Sequence, residues 1–236
     1  MQYDLVIIGA TTTALGLAKT VQSSLRTLIV NKTEMVAYDF VNAYKKPEVY
    51  ANGAAFYKEF RDLSTDILLG TEVVSITKLE NGGYELEILN TAGFHKVETQ
   101  LLVDTTTERE AKVLGKSLNA LIIQQEGEPV PQVDWSGITI IAEEHNQTYS
   151  TAILKLDAEL EWTVAEARHK LIERWLARPS QLSNWKVAAI AFCFEDRVAS
   201  GERKKDEGYF VWPAACYAEL DESVNAGIQL GRSLVS

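Results

Sequence analysis

Residues 3–18 constrain this chain more than any other stretch. Leu5-Val6-Ile7-Ile8 is apolar without alternation, the pattern of a parallel strand covered on both faces. The run stops at Gly9, which permits a tight turn, and Thr11, Thr12 and Thr13 follow as candidate caps for a helix over residues 12–23. Leu15, Leu17, Ala18 and Val21 supply its buried side, with Lys19, Gln22 and Ser23 elsewhere. Thr27-Leu28-Ile29-Val30 is a second apolar strand. A β-α-β unit of about 30 residues makes a parallel pair joined by a right-handed crossover.

Downstream, residues 32–53 hold no strong period, and Pro47 with Asn52-Gly53 marks a loop with one short helix. Phe56, Tyr57, Phe60 and Leu63 have helical spacing over 54–63. Three β runs follow, at 71–79, 84–90 and 95–103, joined by Asn81-Gly82-Gly83 and Thr91-Ala92-Gly93, so they form an antiparallel meander. The last run ends in Leu101-Leu102-Val103-Asp104, fully apolar before its aspartate, as a strand does when it leaves a meander for a buried sheet. A strand is expected at 120–124, and Pro129 and Pro131 mark a change of region. Two more strands, at 137–143 and 148–156, are joined by His145-Asn146-Gln147. Thr163 and Glu166 have capping-box spacing ahead of an apolar stripe, Val164, Ala167, Leu171, Trp175 and Leu176, that ends before Pro179. The apolar segment 185–194 suits either a strand or a helix. Residues 204–208 read as an exposed turn, 209–212 as a strand and 223–235 as a last helix.

A chain of 236 residues can bury one sizeable core, and 46% hydrophobic with 24% charged residues is ordinary for a globular protein. The formal charge of −10 repels phosphate backbones and anionic lipid, so neither nucleic acid nor membrane is an expected partner. A small molecule is expected, and a protein partner or a second copy stays open. Cys193 and Cys216 make no disulfide framework, the first apolar run is too short for a signal sequence, and Asp4 sits where a signal would carry positive charge. A cytoplasmic protein is therefore expected. His95, His145 and His169 are scattered, which argues against a metal centre. Cys193 reads as a small buried hydrophobe and Cys216, in a loop, as the more reactive thiol.

The order of these elements resembles the FAD-binding fold of the glutathione-reductase-type flavoproteins and FAD-dependent oxidoreductases. That family opens on Gly-x-Gly-x-x-Gly/Ala-x-x-x-Ala with an acidic residue ending the second strand. Here Gly9 fills the first position, Thr11 the second, Ala14 the third and Ala18 the trailing one, while Asn31 stands in for the acid, 22 residues beyond Gly9. The meander with Asp104-Thr105-Thr106-Thr107 is similar to the family's return strand and its Ala-Thr-Gly-like turn. Gly208-Tyr209-Phe210-Val211-Trp212 and Ser223-Val224-Asn225-Ala226-Gly227 resemble its closing strand, loop and helix, with Trp212-Pro213 where the family has Gly-Asp.

The resemblance implies an α/β fold, in which a parallel Rossmann-like FAD-binding sheet carries an antiparallel meander insertion and a small α+β substrate-side lobe. The implied regions are 1–128 and 208–236 for FAD and 129–207 for substrate. It further implies that Gly9, Thr11, Thr12, Thr13 and Ala14 line a pyrophosphate. Asn31 and Lys32 would lie on the adenosine side, and Val74, Thr105, Thr106, Trp212, Asn225 and Ala226 elsewhere along FAD. Thr11 either displaces the cofactor with its β-branched side chain or offers a hydroxyl to a phosphate oxygen. The start of the last helix would set its dipole against negative charge on a reduced flavin. No residue stands out as acid or base, and no second Gly-rich motif argues for an NAD(P)H domain. The implied activity is direct oxidation of an amine or alcohol by the flavin. The other reading is a related fold that has lost FAD and serves as a non-catalytic partner or scaffold.

Overall fold

The computed structural model describes residues 1–46, 53–125, 129–142, 150–199 and 201–236. Pro47, Asn52 and the expected turn at His145-Asn146-Gln147 lie outside them. The chain forms two compact units, one of residues 1–37, 55–112 and 198–236, the other of 38–54 and 113–197.

In the first unit, β1 (Gln2–Ile8), helix α1 (Thr12–Val21) and β2 (Thr27–Val30) form the expected parallel pair, with Leu5 opposite Thr27 and Ile8 opposite Val30. After helix α2 (Gly53–Arg61), a third parallel strand, β3 (Asp66–Leu68), extends the sheet beside β2. Three residues are too few to leave a periodic signal, and this strand is not visible in the sequence. The meander is β4 (Glu72–Lys78), β5 (Tyr84–Asn90) and β6 (Gly93–Asp104).

Strand β6 serves two pairings. Residues 93–99 run antiparallel to β5, and from Glu98 to Asp104 the strand runs parallel to β1. Its apolar end is therefore a return to the central sheet. Val6, Ile8, Leu28 and Val30 pack with Tyr84, Leu86, Ile88 and Val97 in one cluster, and Leu5, Ile7 and Ile29, which point the other way, are equally buried. An unalternated apolar run requires cover on both faces, and it has it.

Strand β7 (Val113–Gln124) belongs to the second unit and starts well before the expected residue 120. Gly115, Lys116, Ser117 and Asn119 mask the strand pattern because their polar groups are consumed internally. Lys116 Nζ donates to Leu160 O at 2.7 Å and Trp162 O at 2.6 Å, and Asn119 Nδ2 to Ala43 O at 2.8 Å and Glu195 Oε2 at 2.7 Å. With β8 (Ile138–Ala142), β9 (Ser150–Ala158), β10 (Lys186–Ile190) and β11 (Glu195–Val198), it forms a five-stranded sheet, ordered β10-β7-β9-β8 with β11 on β7. Helix α3 (Val164–Leu176) covers one face through Ala167, Leu171 and Trp175, packed against Leu118, Ala120, Ile122 and Leu154. Residues 113–125, grouped from sequence with the FAD-binding region, thus lie with the second sheet. The ambiguous 185–194 segment is strand β10 followed by a bend.

The chain returns to the first sheet by β12 (Arg203–Asp206) and β13 (Tyr209–Val211), so the expected 204–208 turn contracts to Glu207-Gly208. The fully exposed, lysine-bearing β12 blunts that edge. Strand β13 lies parallel to β6 and leads into helix α4 (Leu220–Val235). No helix among the described residues is long and apolar enough to cross a membrane.

Candidate functional site

Strands β1, β6 and β13 run parallel and end side by side at Ile8, Asp104 and Val211. In an open α/β sheet, ligands bind beyond the carboxyl ends of the strands. Gly9 turns there with φ of +95°, and a Cβ on it would stand 2.6 Å from Thr106 Cγ2 and 2.9 Å from Thr105 Oγ1. Both the backbone angle and the space exclude any other residue.

Thr11 caps α1, its Oγ1 accepting from Ala14 N at 3.2 Å. The same hydroxyl donates to Thr105 Oγ1 at 2.8 Å, and Thr105 donates to Ile8 O at 2.8 Å. The hydroxyls of Thr12 and Thr13 meet Ser223 Oγ on α4, at 2.6 and 2.8 Å. These threonines are at most 1% exposed, and Ser223 is fully buried. The close approach of the two helices is built from glycine. A Cβ on Gly16 would fall 2.0 Å from Val224 O, and one on Gly227 2.0 Å from Thr13 O.

Asn31, at the end of β2, is 2% exposed and fully engaged. Its Oδ1 accepts from Ala10 N at 2.9 Å, and its Nδ2 donates to Thr33 O and Met35 O, each at 2.8 Å. Ala37 N donates to Ala10 O at 2.7 Å, so residues 31–37 engage both backbone groups of Ala10. Asp104 is buried beneath the turn. Its Oδ1 accepts from Thr106 N at 2.9 Å and Thr106 Oγ1 at 2.7 Å, while its Oδ2 has no partner. Burial pushes its pKa up, against the pull of the Thr106 hydrogen bonds.

The structure brings Gly9, Thr11, Thr12, Thr13, Ala14, Asn31, Thr105 and Thr106 to one place, with Trp212 joined to it by its N–H on Asp104 O at 2.7 Å. It does not draw in the others. Lys32 is on the surface with Glu72 at 3.1 Å and Glu108 at 3.6 Å, and Glu72 is the main cause of its raised pKa. Val74, 44% exposed, lines an open groove of about 380 Å³ with Lys78, Tyr84, Arg109 and Tyr209. Asn225 is exposed, because Ser223 and Gly227 are the residues of α4 turned towards α1. Ala226 beside it is half-buried. Cys216 Sγ accepts from Gly201 N at 3.3 Å, which makes it a structural contact. Burial pushes the Cys193 thiol up to about 12, leaving it unreactive.

Ser223 opens the stretch expected to face the flavin, and its hydroxyl meets Thr12 and Thr13; with Gly227 and Gly231 at four-residue spacing it forms a stripe of small side chains turned towards α1. Ala37 left no signal, since its left-handed φ of +50° is unusual for alanine. The two helix starts differ in charge. Helix α1 has no acidic residue in its first turn, whereas α4 carries Asp221 and Glu222 beyond its cap Glu219. Those carboxylates offset the α4 dipole, so the start of α1 is the end suited to an anion.

No protein family's sequence profile matches the chain, and no curated protein matches it. Solved structures do. The p-nitrophenol 4-monooxygenase PnpA of Pseudomonas putida DLL-E4 has a TM-score of 0.65 at 11% identity, over 99% of this chain and 79% of that one. Aklavinone-11 hydroxylase, solved in a ternary complex with FAD and aklavinone, has a TM-score of 0.62 at 11% identity, over 99% of this chain and 62% of that one. An aromatic hydroxylase from angucycline biosynthesis has a TM-score of 0.60 at 12% identity, over 99% and 63%. The chain spans less than two thirds of the latter two. At this identity the likeness establishes the fold alone.

The backbone of the turn has the geometry a dinucleotide requires, while the threonine hydroxyls on it are spent on Thr105 and Ser223. The glycine turn, the helix start without acidic residues and the orphaned Asp104 Oδ2 all lie at the carboxyl ends of parallel strands.

Proposed function

We propose that this chain is an FAD-dependent oxidoreductase acting on a small aromatic molecule. One observation carries the reading: the Gly9 turn opens α1 at the carboxyl ends of β1, β6 and β13, in a fold matched over 99% of the chain by monooxygenases and hydroxylases. The start of α1, from Gly9 to Ala14, would hold the pyrophosphate on backbone N–H groups and threonine hydroxyls. Asn31 would lie on the adenosine side, and Thr105, Thr106 and Trp212 towards the flavin. When bound, the flavin supplies the redox chemistry. The protein would bind and orient it.

The substrate class follows the neighbours, one of which acts on p-nitrophenol and another on aklavinone. None of the three is described as an amine or alcohol oxidase, so the amine or alcohol drawn from sequence gives way to an aromatic compound. A second reading, a fold that has lost FAD and serves as a partner, is favoured by the burial of the threonine turn.

An absorption spectrum of the purified protein, before and after adding FAD and removing the excess, separates the two. Retained flavin with a shifted visible band is the outcome expected of the oxidoreductase. A colourless protein whose melting temperature ignores FAD would leave only the second reading.

A further inference from the structure

We propose that the groove between the edge strands β4 and β12 binds a small aromatic monocarboxylate, whose anionic head is taken by Arg109 and the Tyr209 hydroxyl. The site stands apart from the FAD reading, since it uses no residue of the threonine turn. Each of the two strands is paired on one side only, β4 with β5 and β12 with β13, and both line the groove of about 380 Å³. Lys78 Nζ on β4 reaches Asp206 Oδ2 on β12 at 2.6 Å and ties the two walls together.

The lining holds three cations, Lys78, Arg109 and Lys205, against two carboxylates, Glu110 and Asp206. Asp206 takes Lys78, and Glu110 takes Lys205 at 2.5 Å and Arg203 at 3.3 Å. Arg109 is left without a carboxylate at ion-pair distance among the described residues. Its single hydrogen bond there runs from Nη2 to the backbone carbonyl of Val73. It also feels the charge of Asp104, but burial favours the neutral form of that acid. In a chain of net charge −10, this guanidinium is the place where an outside carboxylate settles, on donors its planar fork still has to offer.

Tyr209 is an independent sign of a ligand. It lines the groove and is 3% exposed, yet its hydroxyl makes no hydrogen bond among the described residues. Its ring is fixed edge-to-face against Tyr84, with centroids 5.6 Å apart, whereas the Tyr84 hydroxyl is spent on Glu207 O at 2.8 Å. Burial, and then Asp104 and Glu110, push the Tyr209 pKa up, so its hydroxyl stays a proton donor. An ionised carboxylate only accepts, which suits this pair of donors. Val74, 44% exposed, and half-buried Ile76 give an apolar wall for the body of the ligand, the usual make-up of a small-molecule site. One cation in excess matches one negative charge, and a dianion would meet Glu110 and Asp206 as well.

The test titrates the full chain with benzoate, and separately with uncharged benzamide, by calorimetry, while backbone amide shifts locate the ligand. Saturable benzoate binding is expected, about tenfold or more tighter than benzamide, with shifts at 74–78, 109–110 and 205–209. Arg109→Gln should weaken benzoate about tenfold or more, and Tyr209→Phe about threefold. Tyr209→Phe should not lower the melting temperature, since its hydroxyl has no protein partner to lose.

Should Arg109→Gln fail to fold by circular dichroism, because the Val73 carbonyl loses its donor, Tyr209→Phe and the benzamide comparison decide alone. Equal affinity for benzoate and benzamide, full benzoate affinity in Tyr209→Phe, shifts elsewhere, or no saturable binding would each overturn the site. None of these outcomes touches the FAD reading, which the flavin spectrum tests.

Discussion

At the scale of single residues, the site is governed by what has no room to change. Gly16 and Gly227 meet backbone carbonyls where a Cβ would stand 2.0 Å away. Gly16→Ala is therefore expected to force α1 and α4 apart and to cost about 1–3 kcal/mol, measured by urea unfolding. A loss within experimental error would mean the helices are not in contact there. Asp104 makes a different demand. Its pKa is raised by burial, so between about pH 4 and that raised value the folded state holds a proton the unfolded chain has released. Its contribution to stability is then present at low pH and lost as pH rises through the folded pKa. In Asp104→Asn that component should vanish. The difference in melting temperature between the two proteins, followed upward from pH 4, should move in favour of the variant. A difference that does not change with pH would show Asp104 to be charged throughout.

At the scale of elements, helix α3 shows how far local chemistry can be read directly. Thr163 Oγ1 accepts from Glu166 N at 3.2 Å, and Glu166 Oε2 accepts from Thr163 N at 2.7 Å, the reciprocal box that their spacing announces. Thr163→Ala is expected to cost about 1 kcal/mol in denaturant titration, and no loss would deny the cap a role. Strands β1, β2 and the end of β6 were equally legible, because burial on both faces leaves an unbroken apolar run. Strand β7 was half hidden, since Lys116 and Asn119 look like loop residues until their carbonyl and carboxylate partners, distant in sequence, are known. Strand β12 read as a turn because an exposed edge strand of charged residues has no apolar face to betray it.

For the whole molecule, the Gly9-to-Asn31 spacing and the order of elements follow the pattern of the FAD-binding fold, while the contacts at the site differ from it. Thr11 meets Thr105 where the family's pattern has a glycine, and Asn31 spends its amide on Ala10, Thr33 and Met35. From sequence the members of the turn could be named, but not the direction in which they face. That depends on Thr105 and on Ser223 of α4, partners distant in sequence. The most direct measurement is the absorption spectrum of the purified protein before and after adding FAD and removing the excess. Retained flavin with a shifted visible band is the result the account predicts. A colourless protein whose melting temperature ignores FAD would contradict it.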